Sequence, residues 1–153
     1  MNDRAKRLTV IAALAATVAA GFEGFRQNAY YDPRPNDPIL TVCYGHTGPD
    51  VVKGKRYTFE ECKQLLNDDM LDAVRVVERC HPGLPDNVLL AFADAVYNIG
   101  PKVACKSTAS KYLSQGNYEA ACRELPKWNK SNGVVLPGLT KRRIEEMNLC
   151  LGL

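Results

Sequence analysis

Six cysteines, Cys43, Cys62, Cys80, Cys105, Cys122 and Cys150, are spread through a chain of 153 residues. None stands in a close CxxC pair of the kind that holds zinc, so disulfides formed in an oxidising compartment are the better reading. The alternative is a cytosolic protein whose cysteines are small buried apolar residues. Six thiols allow fifteen complete pairings. Modest loops favour Cys43 with Cys62 and Cys105 with Cys122, leaving Cys80 with Cys150 to tie the terminal helix to the body. A chain of this length forms one substantial core, burying roughly 70% of its unfolded surface. With 46% hydrophobic and 24% charged residues it is neither disordered nor collagen-like. The net charge of +3 is too small to imply a nucleic-acid partner.

At the amino end, Arg4, Lys6 and Arg7 precede the uncharged stretch LTVIAALAATVAAGF, from Leu8 to Phe22. As a helix these fifteen residues reach about 23 Å, short of the roughly 30 Å of a bilayer core, so reversible insertion is easier than permanent spanning. Leu8, Ile11, Ala15, Val18 and Phe22 also recur at helical spacing and can form one packing face. Residues 1–22 are therefore expected to be an export or signal-anchor segment that can become a packed helix. Cleavage near Ala20 is the less favoured alternative, because it would leave Glu23 almost at the new terminus.

The stretch that follows changes character. Pro33, Pro35 and Pro38 forbid a regular helix, Ile39–Tyr44 can extend as a strand, and Gly45 and Gly48 mark turns. Val51, Val52, Tyr57 and Phe59 are expected to complete a small hairpin-containing lobe turning at Gly54. Thr58 and Glu61 then form a capping-box pattern for a helix whose packing face is Phe59, Cys62, Leu66, Ala73 and Val77. His81, Pro82, Gly83 and Pro85 end it. Helices are predicted over 87–99 and about 103–113, from an Asn117 cap to about Leu125, and from near Pro137 to the end. The expected fold class is α+β, with a small β-containing lobe and a larger helical one.

Glu23 lies nine positions before Asp32, at a helix end feeding a turn-rich crossing that can face both carboxylates into one cleft. Glycoside hydrolysis needs such a pair: a protonated acid for the glycosidic oxygen and a second group that positions water. Phe22 and Phe25 would reduce solvation around Glu23, while Arg26 favours its charged form. Spacing alone leaves surface carboxylates the simpler reading.

The pattern GFEGFRQNAYYD followed by LTVCYGHTG resembles the phage-type lysozymes, the endolysins that cleave bacterial peptidoglycan. FADAVYNIGP, YEAACRELPKW and NGVVLPGLTKRRIEEMNLCL extend the resemblance over roughly residues 18–151. It implies a two-lobed lysozyme-like fold with residues 23–153 as the catalytic domain, and a muramidase that hydrolyses the β-1,4 bond between N-acetylmuramic acid and N-acetylglucosamine. Glu23 would be the general acid, Asp32 would position the attacking water or electrostatically stabilise the transition state, and Thr41 would help orient that water, with inversion at the anomeric carbon. The long connection DPRPNDPIL departs from the family pattern and makes Asp37 the alternate carboxylate.

Candidate cleft residues are Tyr30, Gly45, His46, Tyr97, Asn98 and Trp128, with Tyr31 and Tyr44 as further sugar-facing aromatics. Lys141, Arg142 and Arg143 are read as a basic surface of the terminal helix that attracts the anionic wall. His46 and His81 make no convincing metal site, and no cofactor is expected. The resemblance further implies an exported phage endolysin, as in lambdoid phages, that is first tethered to the inner membrane through an uncleaved segment and then released into the periplasm as a soluble monomer. Cytoplasmic accumulation with release through a pore is the alternative. A lytic transglycosylase and an inactive wall-binding protein are the competing functions.

Overall fold

The computed structural model describes residues 1–32 and 38–153. The turns expected at Pro33 and Pro35, and the alternate carboxylate Asp37, lie outside the described residues. Helix α1 (Asp3–Ala20) starts at Asn2, whose side chain accepts from the Ala5 N–H at 2.8 Å. Its buried face is Ile11, Ala12, Ala15, Ala16 and Ala19. From the expected stripe, Ile11 and Ala15 are buried, whereas Leu8, Val18 and Phe22 are only half-buried. Alanines at the contact keep α1 close to α2 (Phe59–Cys80) and α3 (Asp86–Ile99), against which it packs. Among the described residues, no helix is long and apolar enough to cross a membrane.

The chain leaves α1 through Glu23 and enters a three-stranded antiparallel sheet of β1 (Arg26–Asp32), β2 (Ile39–Cys43) and β3 (His46–Thr47). Strand β1 occupies the stretch where only turns were expected. Its partners run from Arg26 opposite Cys43 to Tyr30 opposite Thr41, so a bulge lies between them and re-aims the following residues. The hairpin expected around Gly54 is absent. Tyr57 is instead fastened to β1, donating its N–H to Gln27 O at 2.8 Å and accepting from Gln27 Nε2 at 3.0 Å. Val51 and Tyr57 thereby join Val42, Cys43 and Cys62 in the small-lobe core, while Val52 and Phe59 are exposed.

The capping box forms as the sequence suggests: Glu61 N–H donates to Thr58 Oγ1 at 3.0 Å, and Thr58 N–H donates to the Glu61 carboxylate at 2.9 Å. Helix α2 begins against the small core with Cys62 and continues into the main core with Leu66, Met70, Ala73, Val74 and Val77. One rigid helix thus joins the two lobes. Helix α3 is the centre of the larger one, with Leu89, Ala91, Phe92, Ala93 and Ala95 all fully buried.

The single helix expected over 103–113 is two, α4 (Lys102–Cys105) and α5 (Thr108–Ser114). Ser107 breaks it by accepting the Ser110 N–H at 3.0 Å as a new N-cap. Then come α6 (Tyr118–Glu124), a 3-10 turn (Leu125–Lys127), the short hairpin β4 (Lys130–Ser131) and β5 (Val134–Val135), and α7 (Pro137–Leu151). Cys43–Cys62 forms as expected, but the other bridges are Cys80–Cys105 and Cys122–Cys150. The α3–α4 connection brings Cys105 back to the end of α2, and α6 packs directly on α7. Proximity across packed helices overrode loop length.

Candidate active site

A cleft of about 590 Å³ is lined by Glu23, Tyr30, Asp32, Thr41, Gly45, Thr47, Asp69, Asp72, Ala73, Val76, Val96, Tyr97 and Asn98. Glu23 arrives from the frayed end of α1, its N–H donating to Ala19 O at 3.0 Å. Asp32 ends β1 opposite Ile39, and Thr41 stands opposite Tyr30 on β2. Sheet pairing holds Asp32 and Thr41 near one another, while the end of α1 and Arg142 hold Glu23 beside them. Thr41 is buried and its hydroxyl donates to Ile39 O at 3.1 Å, which leaves the oxygen's lone pairs as acceptors.

Glu23 is held from one side. Its Oε1 accepts from Nη1 of Arg142 at 2.6 Å. A guanidinium donates and cannot accept, so a proton on this carboxyl belongs on Oε2. Gly45 stands against that second oxygen: a Cβ there would lie 3.5 Å from Oε2, and the backbone φ of +85° is one that side chains disfavour. Arg142 in turn makes a forked pair with Asp94, Nε to Oδ2 at 3.0 Å and Nη2 to Oδ1 at 2.9 Å, and its guanidinium lies 5.3 Å from the Phe22 ring centroid. Burial opposes the Arg142 charge, but Asp94 and Glu23 outweigh it and drive the pKa higher still.

Beneath this pair, Arg143 is wholly buried and forks onto Glu146, with Nε and Nη2 each 2.6 Å from a carboxylate oxygen. Nη2 also donates to Oδ1 of Asn98 at 2.8 Å. The short contacts with Arg143 favour an ionised Glu146, whereas burial and then its hydrogen bond with Asp94 favour the protonated acid. Burial prevails, and the Glu146 pKa is held well above the ordinary carboxylate range. Two guanidinia thus stand among three carboxyls, those of Glu23, Asp94 and Glu146. The basic terminal-helix surface expected from Lys141, Arg142 and Arg143 is thus corrected. Only Lys141 is exposed, because the helix turns both arginines inward toward α3.

The remaining expected cleft residues divide. Tyr30, Gly45, Tyr97 and Asn98 line it. The Tyr97 hydroxyl donates to Tyr44 O at 2.7 Å and pins α3 to the Gly45 turn; burial first, then the Glu23 and Asp69 charges, push its pKa up. Trp128 does not line the cleft and packs on the main core. Tyr31 is exposed under Lys53, and Tyr44 stacks 4.9 Å from Phe25.

His46 stands behind the wall, its Nδ1 2.7 Å from Asp69 on α2 and its Nε2 3.0 Å from Asp50. Burial lowers its pKa, but the bonds to Asp69 and Asp50 outweigh burial and hold it above the ordinary histidine value. Asp69 is raised by burial despite the histidine, and Asp50 is lowered by it. His81 is buried and bonded to Ala104 O at 2.8 Å and Ser110 Oγ at 3.0 Å.

Asp94, Arg142, Asp69 and Glu146 went unmarked as site residues in the sequence. The faint signal was an Asp inside the apolar run of α3, at a position that periodicity assigns to the core.

The phage lysozyme family model matches residues 20–146. A SAR-endolysin of Bacteriophage PS119 is 38% identical over 132 residues, which is 86% of this chain and 77% of that protein. Among solved structures, the muramidase domain of SpmX from Asticaccaulis excentricus superposes with a TM-score of 0.79 at 29% identity, over 90% of this chain and 95% of the other. The active form of the P1 phage endolysin Lyz gives a TM-score of 0.79 at 25% identity, over 99% of this chain and 95% of that one. A match across nearly the whole two-lobed body, in sequence and in fold, leaves one conclusion: the chain belongs to the phage lysozyme family.

Proposed function

We propose that this protein is a muramidase that hydrolyses the β-1,4 bond between N-acetylmuramic acid and N-acetylglucosamine in bacterial peptidoglycan. The observation that carries the reading is the convergence of Glu23, Asp32 and Thr41 on one cleft. Glu23 gives the proton on Oε2 to the glycosidic oxygen as the bond to the anomeric carbon breaks. Water held by Asp32 and Thr41 attacks that carbon from the opposite face and passes a proton to Asp32, giving the inverted product. The Arg142 contact at 2.6 Å stabilises the carboxylate left on Glu23.

The test compares wild type with Glu23→Gln on defined peptidoglycan, following reducing ends and the anomer first released. Loss of release in the variant supports the acid role, and equal release by both proteins would refute it. A cyclic anhydro product from the wild type would instead identify a lytic transglycosylase.

Export follows the same logic. Residues 1–22 act first as an uncleaved signal-anchor in the inner membrane and, on release to the periplasm, as the packed α1 of a soluble monomer. The similarity to a SAR-endolysin supports this reading, as does the Ala-rich face of α1 against α2 and α3. Because Glu23 leaves directly from α1, withdrawing the helix would withdraw the acid. Intact-mass measurement of the periplasmic pool checks this: a chain beginning beyond residue 20 would exclude it.

A further inference from the structure

Asn98 has an amide of fixed polarity, and the residue that fixes it lies outside the cleft. Asn98 is in the last turn of α3 and lines the cleft. Its Oδ1 accepts from Arg143, which can only donate, so flipping the amide would set donor against donor. Nδ2 therefore points away from Arg143 with two N–H groups. The only buried side-chain polar atom without a partner among the described residues is Nη1 of Arg143, so Nδ2, unpartnered there, is reached by solvent.

Arg143 is a poor choice for packing alone. It is 0% exposed and its Nη1 has no hydrogen-bond partner, a burden that Leu or Met would not bring. What it adds is the hold on Asn98. The cleft also offers apolar surface from Ala73, Val76 and Val96, and its acids include Glu23, Asp69 and Asp72. An anionic acceptor is disfavoured there, whereas a neutral amide with a methyl group suits both the donor and the apolar wall.

The geometry points to Asn98 Nδ2 as the donor to the carbonyl oxygen of a substrate acetamido group, with Arg143 as the positioning residue that turns this donor toward the cleft. The inference rests on the muramidase reading and adds the feature by which N-acetylated glycan is preferred.

The test measures kcat/KM on peptidoglycan and on the same material after de-N-acetylation, for wild type, Asn98→Ala, Asn98→Asp and Arg143→Met. Comparing the acetylated-to-deacetylated ratio between wild type and Asn98→Ala, which carry the same charge, cancels the attraction of the exposed amine to the acidic cleft. The ratio is expected to fall about five- to tenfold in Asn98→Ala, and at least as far in Asn98→Asp, which presents an acceptor to an acceptor. Arg143→Met is expected to lower the ratio as Asn98→Ala does, with no further fall in the double variant. An unchanged ratio in Asn98→Ala would overturn the donor role, and an unchanged ratio in folded Arg143→Met would overturn the positioning role.

If Arg143→Met does not fold, the Asn98 side-chain amide pair in a 15N spectrum, assigned by its loss in Asn98→Ala, replaces that arm. Adding N-acetylglucosamine tetramer should shift it, and a pair unmoved at saturation overturns the proposal. A wild type that releases no reducing ends from either substrate defeats the muramidase reading itself. An active wild type whose preference survives Asn98→Ala defeats this inference alone.

Discussion

Replacing Arg142 with Met should be among the most damaging single changes to this protein. Arg142 is 3% exposed and Asp94 0% exposed, and the guanidinium supplies two hydrogen bonds to Asp94 and one to Glu23. Without it, the Glu23, Asp94 and Glu146 carboxyls are left around the single guanidinium of Arg143. Removing one partner of a buried ion pair typically costs about 3–5 kcal/mol, because the other charge stays buried without compensation. For a chain of this size, each kcal/mol moves Tm by about 2–4 °C, so the variant should melt roughly 6–20 °C lower. Urea and thermal unfolding would measure the loss. Adding Asp94→Asn should recover part of it, because the stranded charge is removed along with its partner. A cost below about 1 kcal/mol for Arg142→Met, with no recovery in the double variant, would show that the pair is not the anchor described here.

Three other outcomes follow from the structure. Replacing Cys122 and Cys150 together with Ser opens a link across 28 positions and should cost about 3.6 kcal/mol by chain entropy; nonreducing peptide mapping should find Cys122–Cys150 and Cys80–Cys105 and not the pairings expected from loop length. The raised His46 pKa contributes stability that is fully present below the unfolded value near 6.5 and is lost as pH rises through the folded one, so the stability gap between wild type and His46→Asn should shrink from pH 6 to pH 9. A gap that widens over that range would contradict the pairing with Asp69 and Asp50. Ala15→Leu adds volume where α1 meets the rest of the core with 0% exposure, and should destabilise by about 1–3 kcal/mol in urea unfolding.

Local chemistry was legible from the chain wherever neighbours in sequence decide the outcome. The Thr58–Glu61 cap is satisfied within one turn, Pro137 starts α7, and Asn117 caps α6 through Ala120. Glu23, Asp32 and Thr41 were named from a compact pattern; the end of α1 and the β1–β2 pairing set them around one cleft. What the sequence could not decide was anything settled by which surfaces meet. Lys141, Arg142 and Arg143 look alike as a basic run, yet helical rotation carries two of them into the core, where Arg142 bonds to Asp94 and Arg143 to Glu146. Cys105 could close a loop with Cys122 on separation alone, but α4 sets it beside Cys80. Trp128 was a plausible sugar platform until packing turned it to the core. Side-chain type and spacing fix what each residue is able to do. Only the tertiary fold chooses its partner, because burial energies depend on groups distant in the chain.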